Sequence, residues 1–410
     1  MTQTLEVLLG NYTVGYLSYI PNDRTVFAFS SDYREDPDRP TLSQSFLTAD
    51  GGLVDDPPGV HRLAPPYFSN LLPEGTLRGI IARQLDVAQS RDFPLLSYLG
   101  GDLPGAVILN PSTPLEPVSE DALRFSLPGV QLKLSALLDE SRGSLTIPAR
   151  GQGGDWILKL ASAKYPELID NEHSMMRFAS HIGMPVPEVR LVDLRDIKGI
   201  PAGFESYGPA LAVRRFDRTA DGARIHAEDF NQAFGQFPEA KYHNYTYGDV
   251  AQLLVERVGQ SDVVDMIRRV VFNAAIGNGD MHLKNWSLIY SDGRTPKLSP
   301  AYDLVSTLPY PVDQDLALSF GGEKGRRSLL NDARLRSFAK GAQLPYAAVR
   351  KVALSGFDII YEGWRTFAGP IREDLHSVVQ MEMERFAKEI TLRRPAKAKI
   401  EQRDVGGRSL

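Results

Sequence analysis

Asp280 and Asn285 stand five residues apart in GNGDMHLKN (277–285), directly after a hydrophobic helical segment that ends at Gly277. A short apolar run, WSLIY (286–290), follows, and Asp303 comes after it in SPAYDLVS. An acid, an amide five residues on and a second acid beyond a short strand match the catalytic and metal-holding parts of the kinase template. An acid beside an attacking hydroxyl orients it and accepts its proton. Amide and carboxylate oxygens are hard ligands suited to Mg2+, which offsets the charge of a phosphate in transfer. Taken singly, Asp280 and Asn285 are also ordinary helix-end and turn residues. It is the ordered set, with Asp303 in place, that points to chemistry.

Phosphoryl transfer also needs a cation on the phosphates. Lys159 stands inside the apolar run WILKLA, where an unpaired ammonium is costly. The helical segment after it, PELIDNEHSMMRFASHIG, carries Glu172. A strand lysine and an acid on the next helix form the ion pair that positions kinase phosphate contacts. A strand-edge lysine and a surface glutamate are the alternative. Two Gly-rich pieces compete as phosphate loops. ARGQGGDW has the spacing of neither nucleotide fingerprint and reads as a hairpin loop. SLPGVQLKLSALL (126–138) is the better candidate: Gly129 precedes a strand, Lys133 lies just inside it, and backbone N–H groups there can cradle phosphate.

The elements that must carry these residues can be read along all 410 positions. TLEVLL, YTVGYLSYI and RTVFAFS alternate as strands joined by turns. LLPEGTLRGIIARQLDV reads as a helix with Pro73 near its start and Glu74 in its first turn, where the dipole favours an acid. LGGDLPGAVIL is a Gly-rich turn into a strand, and NPSTPLEP (110–117) a Pro-rich linker. VQLKLSALL, DWILKLA, PVPEVRLVDL and GPALAVRRFDR are further strands around one helix stopped by Gly183. Beyond Asp217 the pattern is helical, with SDVVDMIRRVVFNAAIG expected to start at an Ser261 N-cap and to hold Asp262 in its first turn. Long helices are expected over 345–390. The expected units are 1–112, 118–217, 218–392 and a basic, disordered tail over 393–410.

Composition removes other classes. The net charge of −5 excludes a general polyanion binder. With no cysteine there is no disulfide, thiolate metal site or Cys nucleophile. No histidine pair has metal spacing, and no G-x-S-x-G elbow appears. No apolar run is long enough to cross a bilayer, and the opening residues lack the marks of a signal peptide, so a cytoplasmic setting without membrane contact is expected.

With these residues in view, the chain resembles the HipA family of bacterial toxin kinases over most of its length, to about residue 390. FSNLLPEG (68–75) and GGDLPGAV (100–107) look like the N-terminal HipA subdomain. SLPGVQLKLSALL, ILKL, DNEHSMMRFA and LAVRRFDR follow the family in order, and GNGDMHLKNWS and SPAYDLVST are the most specific matches. The implied fold is α+β: a protein-kinase-like, HipA-type arrangement of two lobes with an N-terminal β-rich subdomain and a helical C-terminal lobe.

The resemblance implies roles residue by residue. Asp280 is the implied base, Asn285 and Asp303 the implied Mg2+ ligands, and Lys159, supported by Glu172, the implied contact to the phosphates of ATP. Pro128, Gly129, Val130, Gln131, Leu132 and Lys133 would cover those phosphates. Backbone at Arg215 and Phe216 would meet the adenine, and His282, Lys284 and Tyr302 would line the same site. Arg214 stands where the family's best-known member has an acid, so only a backbone contact to nucleotide carries over there. Ser126 stands where members autophosphorylate, which locks the loop open and switches the kinase off. Family members phosphorylate protein serines, with aminoacyl-tRNA synthetases as targets, and are neutralised by a helix-turn-helix antitoxin, HipB. GGEKGRRS (321–328) resembles a stretch that nears operator DNA in that complex, with a solvated basic turn as the alternative. Two rivals to a protein kinase stand open. A small-molecule kinase of the aminoglycoside-phosphotransferase type would use the same acids but lack FSNLLPEG. A catalytically dead adaptor would bind only its antitoxin and operator DNA, without need of Lys159, Asp280, Asn285 and Asp303.

Overall fold

The structure, a computed structural model, describes residues 3–112, 133–139, 144–147, 154–161, 164–165, 167–200, 208–312, 315–320 and 331–391. Ser126, the loop residues Pro128 to Leu132, the stretch 321–328 and the basic tail therefore lie outside the described residues.

Alternating apolar residues build the first sheet. β1 (Gln3–Leu9) buries Leu5, Val7 and Leu9 on one face. With β2 (Tyr12–Ile20), β3 (Arg24–Phe29), β4 (Val60–His61) and β5 (Val107–Pro111) it forms an antiparallel sheet in the order β4-β3-β2-β1-β5. Helices Gly75–Gln84 and Asp92–Leu99 contribute to the same core. The first of them starts at Gly75, so Pro73 and Glu74 precede it, whereas the sequence suggests Glu74 in the first turn. Glu74 is the N-cap, yet its side chain makes no cap bond, because its carboxylate is drawn to Lys241 and Lys284.

The second sheet holds β6 (Lys133–Asp139), β7 (Ser144–Thr146), β8 (Trp156–Lys159), β9 (Val189–Val192), β10 (Ile197–Lys198) and β11 (Ala210–Arg214), in the order β10-β7-β6-β8-β11-β9. Its two faces serve two cores. Along β11, Ala210 and Ala212 pack with the first sheet, while Leu211 and Val213 pack with the helical lobe. Helix Leu168–His181 follows β8 and ends before Gly183, whose φ of 77° suits glycine.

Helices Tyr247–Arg257, Gln260–Ile276, Asp332–Gly341, Tyr346–Thr366 and Glu373–Thr391 make the helical lobe. Gln260–Ile276 runs through its centre and buries Met266, Val270, Phe272, Ala274 and Ile276. It starts behind Gly259, not at an Ser261 cap: φ of 144° at Gly259 turns the chain earlier than the sequence suggests. The lobe also contains a small antiparallel sheet of β12 (His226–Asp229), β13 (Ser287–Tyr290) and β14 (Lys297–Leu298). The purely helical expectation missed β12, whose HAED residues carry no strand pattern. The architecture is α+β, with an N-terminal β-rich subdomain ahead of two lobes.

Candidate active site

The sheet register places the first cations. Lys133 on β6 and Leu211 on β11 both pair with Lys159 on β8, so the two lysines lie on one face, directly opposite each other. Like charges at such positions repel, and one carboxylate meets both. Lys159 Nζ donates to Asp303 Oδ1, and Lys133 Nζ donates to Asp303 Oδ2 at 3.2 Å. Lys159 Nζ also donates to Glu172 Oε1 on helix Leu168–His181. Burial opposes the charge on Asp303, but Lys133 and Lys159 outweigh it and hold the carboxyl far below its usual range. Burial likewise opposes the Lys159 ammonium, and Asp303 and Glu172 raise its pKa regardless. Glu172 is pushed up by burial, against the pull of Lys159. The backbone of Asp303 is left-handed, with φ of 54°, a conformation that costs energy in a non-glycine residue and gathers at functional sites.

A second strut comes from the long central helix. It ends at Gly277 in the left-handed region (φ 69°, ψ 42°), which turns the chain sharply into the loop. Buried Asn278 donates to Asn273 Oδ1 at 2.7 Å and accepts from the Asp280 N–H at 2.9 Å. Gly279 N–H donates to Thr307 Oγ1 at 3.0 Å. Asn285 Nδ2 donates to the Asp280 carbonyl at 2.8 Å, which closes the loop on itself and leaves the Asn285 amide oxygen for another partner. Asp280 remains open on the cavity side. Burial of its surroundings pushes its carboxyl above the ordinary value, and a hydrogen bond from Tyr242 Oη to Oδ1 at 2.6 Å works the other way.

Lys133, Lys159, Glu172, Tyr242, Asp280, Asn285 and Asp303 border one cavity of about 1130 Å³, between the second sheet and the helical lobe. Arg214, Arg215, Phe216, His282, Lys284 and Tyr302 border it too. Their side chains are committed differently. The Phe216 and Tyr302 rings lie 5.5 Å apart, and Tyr302 Oη donates to the Lys284 carbonyl at 2.9 Å. The Arg215 side chain turns away to Asp217 and Asp102, and its N–H donates to Asp155 O at 2.8 Å. Arg214 is partly exposed and 3.9 Å from Glu188. Burial, with Lys241 and Lys284 nearby, pulls His282 down to about 3, so its ring is neutral. Lys284 borders the cavity, but its ammonium faces Asn70, Asp229 and Glu74.

Four residues at this site escape a reading of the sequence: Tyr242, Lys241, Asn70 and Glu74. Glu74 Oε2 accepts from Lys241 Nζ at 2.7 Å, and Lys241 O accepts the Leu283 N–H at 3.1 Å. Asn70 and Glu74 lie in FSNLLPEG, whose place in a motif was the only signal.

The model of the HipA N-terminal domain matches residues 5–110, and that of the HipA-like C-terminal domain matches residues 125–357. The chain belongs to the HipA family. A Sinorhizobium fredii protein named as a candidate kinase, Y4dM, is 48% identical to it over 349 residues, which cover 82% of this chain and 85% of that protein. The Shewanella oneidensis serine/threonine-protein kinase toxin HipA is 28% identical over 392 residues, 84% of each chain. Among solved structures, that of the S. oneidensis HipA, HipB and operator DNA complex matches with a TM-score of 0.71 at 23% identity, covering 95% of this chain and 97% of that one. The α+β, two-lobed HipA fold is thus shared. No helix among the described residues is long and apolar enough to cross a membrane.

Proposed function

We propose that this chain is a serine/threonine-protein kinase of HipA type, which transfers the γ-phosphate of ATP to a hydroxyl of a protein target. The observation that carries the reading is the meeting, in one cavity, of an open acid with a buried pair of lysines sharing a second acid. In this reading Asp280 takes the proton of the attacking hydroxyl. The hydroxyl oxygen bonds to the γ-phosphorus, the bond to the β–γ bridging oxygen breaks, and ADP leaves.

Asn285 and Asp303 are the residues that would hold Mg2+. They fit it: both offer hard oxygens, and the Asn285 amide nitrogen is already committed to the Asp280 carbonyl. Among the described residues there is no group of three or more acidic, His or Cys side chains able to hold a metal. Mg2+ would supply charge neutralisation there. With the cation held there, Asp303 would give up at least one lysine, and Lys159 and Lys133 would be available to phosphate oxygens. Pro128 to Lys133 are proposed to close over the phosphates, and Phe216 with Tyr302 to flank the base. The proposed units are 1–112, 118–217 and 218–392.

The resemblance and the relatives extend the reading. A HipB-like helix-turn-helix antitoxin is the proposed inhibitor, with operator DNA reached through that complex. An aminoacyl-tRNA synthetase is the proposed target, and Ser126 the proposed site of self-inactivation. The test is incubation with labelled ATP and Mg2+, with and without an aminoglycoside, followed by peptide mapping. Label on Ser126 supports the reading in full. Label transferred to an aminoglycoside, with none on protein, points instead to a small-molecule kinase, and binding of ATP without transfer points to an adaptor.

A further inference from the structure

Three oxygens surround the Lys284 ammonium: Asn70 Oδ1 at 2.8 Å, the Asn70 carbonyl at 3.2 Å and Asp229 Oδ2 at 3.1 Å. An ammonium has three protons to give, so this one has none left for nucleotide. Two of the three acceptors belong to Asn70, on the first subdomain and 214 residues away in sequence. Asn70 is itself almost fully buried (1% exposed) and fixed by its own amide, which donates to Pro66 O at 2.8 Å and Gln236 O at 2.7 Å. Glu74, one helical cap further on, takes Lys241 Nζ at 2.7 Å and comes within 3.7 Å of Lys284 Nζ.

Both lysines bracket Asp280. Lys284 is part of its loop and neighbours Asn285. Lys241 holds the loop by its carbonyl at Leu283, and its neighbour Tyr242 holds the Asp280 carboxylate. We propose that Asn70 and Glu74 are positioning residues for the catalytic loop, acting through Lys284 and Lys241, so that the first subdomain is part of the phosphotransfer site. This rests on reading Asp280 as the base.

Without these side chains Lys284 keeps Asp229 and the Asn70 backbone carbonyl. Lys241 is then released from Glu74 beside Asp280, where it competes with the hydroxyl for carboxylate oxygens, and Lys284 is held less tightly. Nucleotide binding, which the reading assigns to Lys133, Lys159 and Asp303, none of which contacts Asn70 or Glu74 by a hydrogen bond or ion pair, is untouched. The signature of positioning is therefore a fall in kcat with KM for ATP preserved.

Glu74→Gln keeps size and removes charge; Asn70→Ala removes the side-chain acceptor. Full-length variants are compared with wild type by hydrogen exchange and by steady-state transfer. Expected are faster exchange over 278–285, unchanged exchange in helix Gln260–Ile276, and a kcat lower by about tenfold or more with KM for ATP within about twofold. Glu74→Asp restores part of the loss. Unchanged exchange over 278–285 in Glu74→Gln overturns the proposal even if the wild type transfers no phosphate. Faster exchange with an unchanged kcat overturns it as well. Faster loop exchange in a protein whose wild type shows no transfer supports the positioning and removes the kinase reading alone.

Discussion

Lys133 and Lys159 face each other across β6 and β8, and the two oxygens of Asp303 divide between them. The strand register would bring two ammonium groups into repulsion without that carboxylate. The lysines are thus preset for an anion and held by a residue proposed to bind its counter-cation. Asp303→Ala takes this carboxylate from both, although Lys159 keeps Glu172. ATP should then bind at least as well without Mg2+ as it does to the wild type, while the enhancement by Mg2+ disappears. Removing one partner from a buried charge cluster also costs about 3 kcal/mol of stability. Calorimetry with Mg2+ and with a chelator checks the first outcome, and thermal unfolding the second.

Tyr242 donates to the Asp280 carboxylate at 2.6 Å and lowers a pKa that burial raises. The base acts ionised, so transfer should fall as pH drops through this raised value. Tyr242→Phe removes a donor that favours the carboxylate. The acid limb of the kcat profile should move to higher pH, with ATP affinity unchanged. An unmoved limb in the variant disconnects Tyr242 from the base.

Glu228 joins the first subdomain to the helical lobe. Its carboxyl accepts from Ser43 Oγ at 2.5 Å, Gln44 N–H at 2.9 Å and Tyr290 Oη at 2.5 Å. Burial still pushes it up to about 7 from an ordinary 4.5. A folded-state value above the unfolded one favours the fold at low pH. That contribution is complete below 4.5 and is lost as pH rises through about 7. The slope in this window is about 1.4 kcal/mol per pH unit. Glu228→Gln should flatten the dependence of Tm on pH across that window, measured by calorimetric scans of both proteins.

What could be read from the sequence is what local patterning encodes. The alternation in TLEVLL and YTVGYLSYI gave β1 and β2, and an apolar strand around Lys159 demanded a partner that proved to be Glu172 and Asp303 together. The loop after Gly277 declared its acid and amide by spacing alone. The remainder depends on contacts that no window of sequence contains. Lys241 meets Glu74 across 167 residues, and Lys284 meets Asn70 across 214. By sequence Lys284 is one more cation for nucleotide; in the fold its ammonium is taken by Asn70 and Asp229. The facing of Lys133 and Lys159 needed the register of a strand pair, and Tyr242 needed the fold to bring it over the loop.

Transfer of labelled γ-phosphate from ATP by wild type and by Asp280→Asn, with ATP affinity measured on both, tests the central claim most directly. The substitution keeps the size of the side chain and removes the proton acceptor. The account predicts Mg2+-dependent transfer by the wild type, a loss of at least about a hundredfold in the variant, and ATP binding unchanged within about twofold. Transfer by Asp280→Asn at a rate near that of the wild type would contradict it.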